Sequence, residues 1–188
     1  MSGLLTTGQM LGLIAAALIG FWIVGAYNRL VRLRTSIHEA YAAMEAQIRQ
    51  RDELLAAWTS ELRQVFDDSA QVDGVEAAAA RFLQTAELAR QRPSAAPAVA
   101  NLALAEAALV TARGQLAAAL PSHVNRPTLS QRAGDLSGLG DRILAVDSTL
   151  AFARQQFNAA AEVYNAALAQ FPTTLIAALF GFQAAGTF

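Results

Sequence analysis

The chain contains neither cysteine nor lysine among its 188 residues. The absence of cysteine excludes disulfides, thiolate metal sites and cysteine nucleophiles. The absence of lysine excludes a phosphate-binding loop of the Gly-Lys-Ser/Thr type. All 14 basic residues are arginine, and with 15 acidic residues the net charge is −1. This balance gives no strong attraction to nucleic acid.

Histidine patterns that bind metals are also missing. Four residues after His38 the chain has Ala42, where a zinc-protease helix would have a second histidine. A di-iron bundle needs a glutamate three residues before each histidine, and neither His38 nor His123 has one. We therefore predict no catalytic residue, no metal and no cofactor, and a protein that is not an enzyme.

Charged residues are absent from both ends, since none occurs before Arg29 and none after Glu162. Residues 10–27 would form about 27 Å of uncharged helix, against a hydrocarbon core of about 30 Å. The alternative is a cleavable secretory signal, because Val-Gly-Ala at 24–26 resembles a cleavage site, but the basic segment that should precede it is missing. We predict a retained transmembrane anchor over residues 1–28.

The charges beside this anchor predict its orientation. Arg29, Arg32 and Arg34 follow the span, and apart from the α-amine nothing basic precedes it. Because arginine-rich flanks stay in the cytoplasm, we expect a single-pass protein with a short N-terminus outside and its body inside. Trp22 and Tyr27 fit lipid-facing or interfacial positions, although Trp22 could equally pack against another helix.

Apolar residues at spacings of three, four and seven predict long amphipathic helices in the rest of the chain. No window alternates polar and apolar residues for long enough to predict a strand. The predicted fold class is all-α: an N-terminal transmembrane helix continuous with a long-helix antiparallel four-helix bundle, followed by an apolar C-terminal tail. The bundle takes residues 29–172 and the tail 173–188. The predicted helices cover 30–66, 75–92, 98–120 and 139–171, with an irregular stretch between Pro121 and Gly140.

In an antiparallel bundle the fourth helix returns to the point where the first leaves the membrane, so the tail should lie near the bilayer. As a helix, residues 175–188 would be about 21 Å long, too short to span it. The tail could enter the bilayer partway, lie in its interface, pack against a neighbouring anchor, or cover the end of the bundle as a core segment. The tail residues predicted to contact membrane or a second subunit are Leu175, Ile176, Leu179, Phe180, Phe182 and Phe188.

Small residues in the anchor favour self-association. Gly12, Ala16 and Gly20 are four residues apart on one helix face, a pattern that lets two helix backbones approach closely. Together with the apolar tail, this face favours a homo-oligomer.

Three asparagines are predicted to set register. Asn158 and Asn165 are seven residues apart, so they share a face of the fourth helix. Asn28 lies at the membrane exit, where the returning helix should pass, and could join them. The sequence leaves open whether these side chains act within one subunit or between subunits.

Several segments resemble the LemA family. The chain reads YNRLVRLR at 27–34, RQRDELL at 49–55, ARQQFN at 153–158, VYN at 163–165, and QFP at 170–172 followed by LIA at 175–177. It departs from the family at 56–58, where Ala-Ala-Trp stands in place of the usual Pro-Asn pair. The resemblance implies an N-terminal anchor, a long-helix bundle, a bacterial origin, an envelope-associated role and no established enzymatic activity.

The function that these patterns favour is a membrane-anchored, homo-oligomeric scaffold at the bacterial envelope that could shape the membrane. The alternative is a signalling or adaptor module for an envelope stress or protease partner. The predicted partners are membrane lipid, further copies of the chain and, under the alternative, an envelope protein. The expected location is the bacterial cytoplasmic membrane.

Overall fold

The computed structural model describes residues 7–65, 70–119 and 126–188. Within these ranges the chain forms five α-helices and no strand, which confirms the predicted all-α fold with a long apolar N-terminal helix. The helices are α1 Thr7–Leu62, α2 Ala70–Gln91, α3 Ala96–Ala119, α4 Arg126–Ala169 and α5 Thr173–Phe180.

The two longest helices, α1 and α4, pack antiparallel along the bundle. At one end Arg29 donates a hydrogen bond to Gln170 at 3.2 Å, and in the middle the rings of Tyr41 and Phe157 lie 6.1 Å apart. At the other end Arg132 forms an ion pair with Glu61. The end of α4 therefore lies beside the start of the charged part of α1, as an antiparallel bundle requires.

The second close pair is the hairpin of α2 and α3, which lies against α1. The Tyr41 hydroxyl on α1 donates a 2.6 Å hydrogen bond to the Ala86 carbonyl on α2. Arg113 on α3 reaches Asp147 on α4 at 2.8 Å, so long side chains bridge these two helices. The buried apolar residues of α1 follow the predicted helical spacing: Leu30, Ile37, Tyr41, Met44, Ile48, Leu55 and Leu62.

Two predicted helix boundaries were wrong. The stretch expected to be irregular is helical from Arg126 onward, and its glycines lie inside α4. Pro127 is tolerated there because the first turn of a helix needs no backbone donor at that position. Burial of Leu136 gives this part of α4 an apolar contact that outweighs the weak helix preference of glycine. Likewise α2 begins at Ala70 and not near residue 75.

Some predictions fall outside the described residues. These are the end of the first helix at Phe66, the loop at 121–125 and its His123. Before that gap, α1 ends at Leu62 and is followed by a turn to Val65.

After α4 the chain turns sharply. The Phe171–Pro172 peptide bond is cis, and α5 lies at 101° to α4. Gly181 ends α5 with a φ of 69°, a left-handed conformation that glycine adopts without strain. Residues 182–188 then return as an extended segment, which we call the strap, and Ala185 forms an isolated antiparallel bridge with Ala95 between α2 and α3.

Candidate membrane-facing site

The N-terminal part of α1 is long and apolar enough to cross a membrane, and only 6% of its most apolar 18-residue window is buried within the chain. This helix suggests membrane association. A methyl group added at Gly12 or Gly20 would meet no other side chain or helix within 4 Å, so the small-residue face is open. Ala16 and Trp22 are exposed as well, and Trp22 keeps 40% of its surface accessible.

Helix α5 has one buried and one exposed face, and it lies where the apolar part of α1 ends. Thr173, Ile176 and Ala177 are buried against the bundle. Leu175 and Leu179 point outward, with 62% and 73% of their surfaces exposed. Apolar exposure of this kind is unusual on a helix that meets only water, since large apolar patches mark interaction surfaces.

Aromatic contacts join this helix to α1. The Tyr27 ring lies 5.0 Å from that of Phe180 and 5.7 Å from that of Phe182, both distances being between ring centroids. Phe180 is nevertheless 51% exposed, and the preceding Phe171 is 82% exposed. α5, Phe171 and Tyr27 therefore bring several exposed apolar and aromatic side chains to this end of the bundle.

The two asparagines predicted to set register bind the strap. Asn165 donates to the Ala185 carbonyl at 2.9 Å and accepts from the Ala185 amide at 2.7 Å. Asn158 likewise donates to the Phe188 carbonyl at 3.3 Å and accepts from the Phe188 amide at 2.9 Å. Two helical turns rise about 10.5 Å, and three extended residues span about 10 Å, so the two side chains match the strap's backbone repeat.

Other contacts hold the strap from both sides. The Tyr164 hydroxyl donates to the Gln183 carbonyl at 3.0 Å, and burial raises the pKa of this tyrosine. Phe188 packs edge-on against Phe157, with ring centroids 5.5 Å apart. At Gly186 a methyl group would lie 2.7 Å from the Ala96 Cα, so only glycine lets the strap pass this close to α3.

These contacts show where the predicted site residues lie. Asn158 and Asn165 face the strap of their own chain, whereas Asn28 is exposed on α1. Of the tail residues, Ile176 is buried, Phe182 and Phe188 pack against the core, and Leu175, Leu179 and Phe180 are exposed. A role of any of these residues between subunits stays a prediction.

The middle of the bundle holds a charged cluster that the sequence reasoning missed. Arg51 is 2% exposed and forms hydrogen bonds of 2.7 Å and 2.6 Å with the Glu106 carboxylate. It also reaches Asp147 at 3.3 Å and lies 4.7 Å from the ring centroid of Phe82. One side chain of α1 thus contacts the other three bundle helices.

A sequence signal for this cluster exists. Arg51 follows Ile48 by three residues and precedes Leu55 by four, so it occupies a position of the buried stripe of α1. Burial opposes charge on Glu106, but the hydrogen bond and the charge of Arg51 together lower the pKa of its carboxyl. The Arg51–Glu106 pair is therefore ionised at neutral pH, and each of the two buried charges has a partner of opposite sign.

The described residues contain no group of three or more His, Asp or Glu side chains arranged to hold a metal ion. What the geometry defines is a helical bundle carrying an apolar N-terminal helix and an apolar surface at the same end. The family model of LemA proteins matches residues 40–188. The chain therefore belongs to the LemA family, which is not known as a family of enzymes. No curated protein matches it in sequence at a significant level.

Proposed function

We propose that this protein is a membrane-anchored scaffold of the bacterial envelope whose α5 lies flat in the bilayer interface. The supporting observation is the apolar surface of α5 beside Tyr27, where the uncharged part of α1 ends. If α1 crosses the bilayer close to its normal, α4 follows it back, and the 101° turn lays α5 along the membrane plane. The exposed face of α5 then meets acyl chains.

The energetics favour this arrangement. Burial of one large apolar side chain in lipid contributes about 1.5–3 kcal/mol. Leu175, Leu179, Phe180 and Phe171 keep between 51% and 82% of their surfaces exposed, so each copy could gain a large part of this energy four times, next to the proposed anchor. The flanking Arg29 and Arg32 favour a position of this surface on the cytoplasmic side, following the positive-inside rule.

Self-association completes the proposal. The open face of Gly12, Ala16 and Gly20 allows two anchors to approach closely. Several α5 helices would then lie side by side in one leaflet, and their insertion would add area to that leaflet and bend the membrane. The strap stabilises this geometry because it fixes the end of α5 to α4 and α3.

The depth of α5 can be tested with single cysteines, since the natural chain has none. We expect an environment-sensitive dye on Leu179→Cys to be quenched strongly by bromine on lipid acyl chains. Leu144→Cys is a matched control. Leu144 is 61% exposed on α4, at a position of the bundle far along the helix from α5. A dye at 179 that is quenched no more than one at 144 would overturn the placement of α5.

Assembly is tested separately. Gly12→Leu with Gly20→Leu should reduce the particle mass measured in detergent. Gly25→Leu adds one leucine side chain about 140° away around the helix from both positions and should leave the mass unchanged. A protein that is monomeric before any substitution, or a mass that falls equally in both variants, would contradict assembly through this face.

A further inference from the structure

We propose that a basic cleft beside α5 binds the phosphate group of an anionic phospholipid, an inference that rests on the proposed membrane seating. The cleft has two connected parts that share Arg34, Gly181 and Phe182. The part nearer the membrane has a volume of about 390 Å³ and is lined by Tyr27 and Phe180 among others. The inner part, about 340 Å³, extends to the turn between α2 and α3.

The inner part is positively charged. Arg34 and Arg92 both line it, one from α1 and the other from the end of α2. Within the described ranges neither arginine has a carboxylate within ion-pair distance, whereas Arg51, Arg63 and Arg113 do. Two arginines from different elements can hold one phosphate with several directed hydrogen bonds, because each guanidinium is a planar fork of donors.

Neighbouring groups show the effect of this charge. Burial, and then the positive charge of Arg34, lower the pKa of His38 in the outer part of the cleft. Ser94 adds a hydroxyl group to the inner part. Neither part is lined by an aspartate or a glutamate. The cleft therefore has donors for an anion and no carboxylate to accept the ammonium of a zwitterionic headgroup.

The distance of the cleft from the end of the uncharged span matches the position of a lipid headgroup. Tyr27 marks the end of the uncharged span, and the Arg34 backbone lies about 10.5 Å further along α1. The headgroup zone beyond the hydrocarbon is about 5–7 Å thick, and long side chains on a helix lean toward its N-terminus, here toward the bilayer. The guanidinium of Arg34 is thus in reach of the phosphate layer, while Tyr27 and Phe180 face the acyl chains of the same lipid.

The test measures lipid binding to the full-length protein in detergent by native mass spectrometry. We expect phosphatidylglycerol to bind at least about tenfold more tightly than phosphatidylcholine, and Arg34→Gln with Arg92→Gln to remove most of this preference. The control pair is Arg32→Gln with Arg81→Gln, which removes the same charge from exposed positions that do not line the cleft. An equal loss in the control pair would overturn a defined site, as would an unchanged preference in the cleft pair.

A second arm separates a lipid from a free phosphate compound. Glycerol 3-phosphate at the same concentration should compete poorly, because it lacks the chains that contact Tyr27 and Phe180. Effective competition would assign the cleft to a soluble phosphate compound and overturn the lipid proposal. The dye at position 179 in pure phosphatidylcholine vesicles reports α5 insertion independently, so a failed headgroup site is distinguishable from a failed membrane seating.

Discussion

Arginine has different surroundings in the middle of the bundle and at the end of the bundle beside Tyr27. In the middle, Arg51 is almost fully buried and has two carboxylate partners. At the end beside Tyr27, Arg34 and Arg92 are exposed and line a cleft that has no aspartate or glutamate in its lining. Arginine is thus paired with carboxylates in the middle of the bundle, whereas Arg34 and Arg92 have no carboxylate partner among the described residues.

Apolar side chains differ between the two regions in a parallel way. In the middle, Tyr41 and Phe157 are 2% and 0% exposed, whereas Phe171 and Phe180 at the end keep most or half of their surfaces accessible. Water penalises exposed aromatic clusters, while an interface of acyl chains and phosphates accommodates both the aromatics and the arginines. This contrast supports the proposal that the end beside Tyr27 meets lipid, whereas the middle of the bundle does not.

The largest expected effect comes from breaking the buried charge cluster. Arg51→Met removes the buried cation that donates two hydrogen bonds to Glu106, and leaves that carboxylate with Arg154 at 3.4 Å. We expect the free energy of unfolding to fall by about 3–5 kcal/mol, as when one partner of a buried ion pair is lost. Urea denaturation followed by circular dichroism in detergent measures it.

Arg49→Met is the matched control for this change. Arg49 lies two residues earlier on α1, its side chain is 69% exposed, and it pairs with Glu45 four residues away. Such pairs contribute about 0.3–0.5 kcal/mol. Similar losses in the two variants would mean that Arg51 is not the link between the four helices.

The sequence predicted the helices and their antiparallel closure because apolar spacing and proline positions report directly on burial and chain reversal. It did not predict the first part of α4, because the glycines there disfavour a helix. The burial of Leu136, which stabilises this part, depends on tertiary packing that the sequence pattern does not report. Arg51 was missed because a charged residue in an apolar stripe is ordinarily solvated. The strap was missed for another reason: Asn158 and Asn165 bind backbone amide and carbonyl groups, which nearly every residue type carries, so no side-chain pattern at 185–188 indicates these contacts.

A smaller effect is expected from the strap, which joins the two regions. Gly186→Ala places a methyl group against the backbone of Ala96, so the strap must move away from α3. We expect a loss of about 1–3 kcal/mol, typical of overpacking, and faster hydrogen exchange at the Ala185 and Phe188 amides. Those two amides report on the strap because Asn165 and Asn158 accept hydrogen bonds from them.

Gly134→Ala is the matched control, and it should change the free energy of unfolding in the opposite direction. It introduces the same methyl group within α4, where nothing lies within 4 Å. An interior helix glycine replaced by alanine should stabilise the protein by about 0.5–1 kcal/mol. If both alanines stabilised the protein, the close passage of the strap over α3 would be refuted.

The smallest expected effect is on the stability of the protein at acidic pH, and it tests the contrast between buried and exposed carboxylates. Arg51 lowers the pKa of Glu106 below its usual value of 4.5, despite an opposing effect of burial. A carboxyl that binds protons more weakly when folded stabilises the protein above its unfolded pKa, and this contribution disappears as the pH falls through the folded pKa. Stability should therefore decline below about pH 4.5, and Glu106→Gln should flatten the decline when urea midpoints are compared from pH 6 to pH 3.

Glu76→Gln is the exposed counterpart of that variant. The hydrogen bond from Arg63 lowers the pKa of Glu76 as well, but solvent screens this pair, so the change should alter the acid decline less than Glu106→Gln does. A greater flattening by Glu76→Gln would place the acid sensitivity on the surface of the bundle, and the buried cluster would then not govern it.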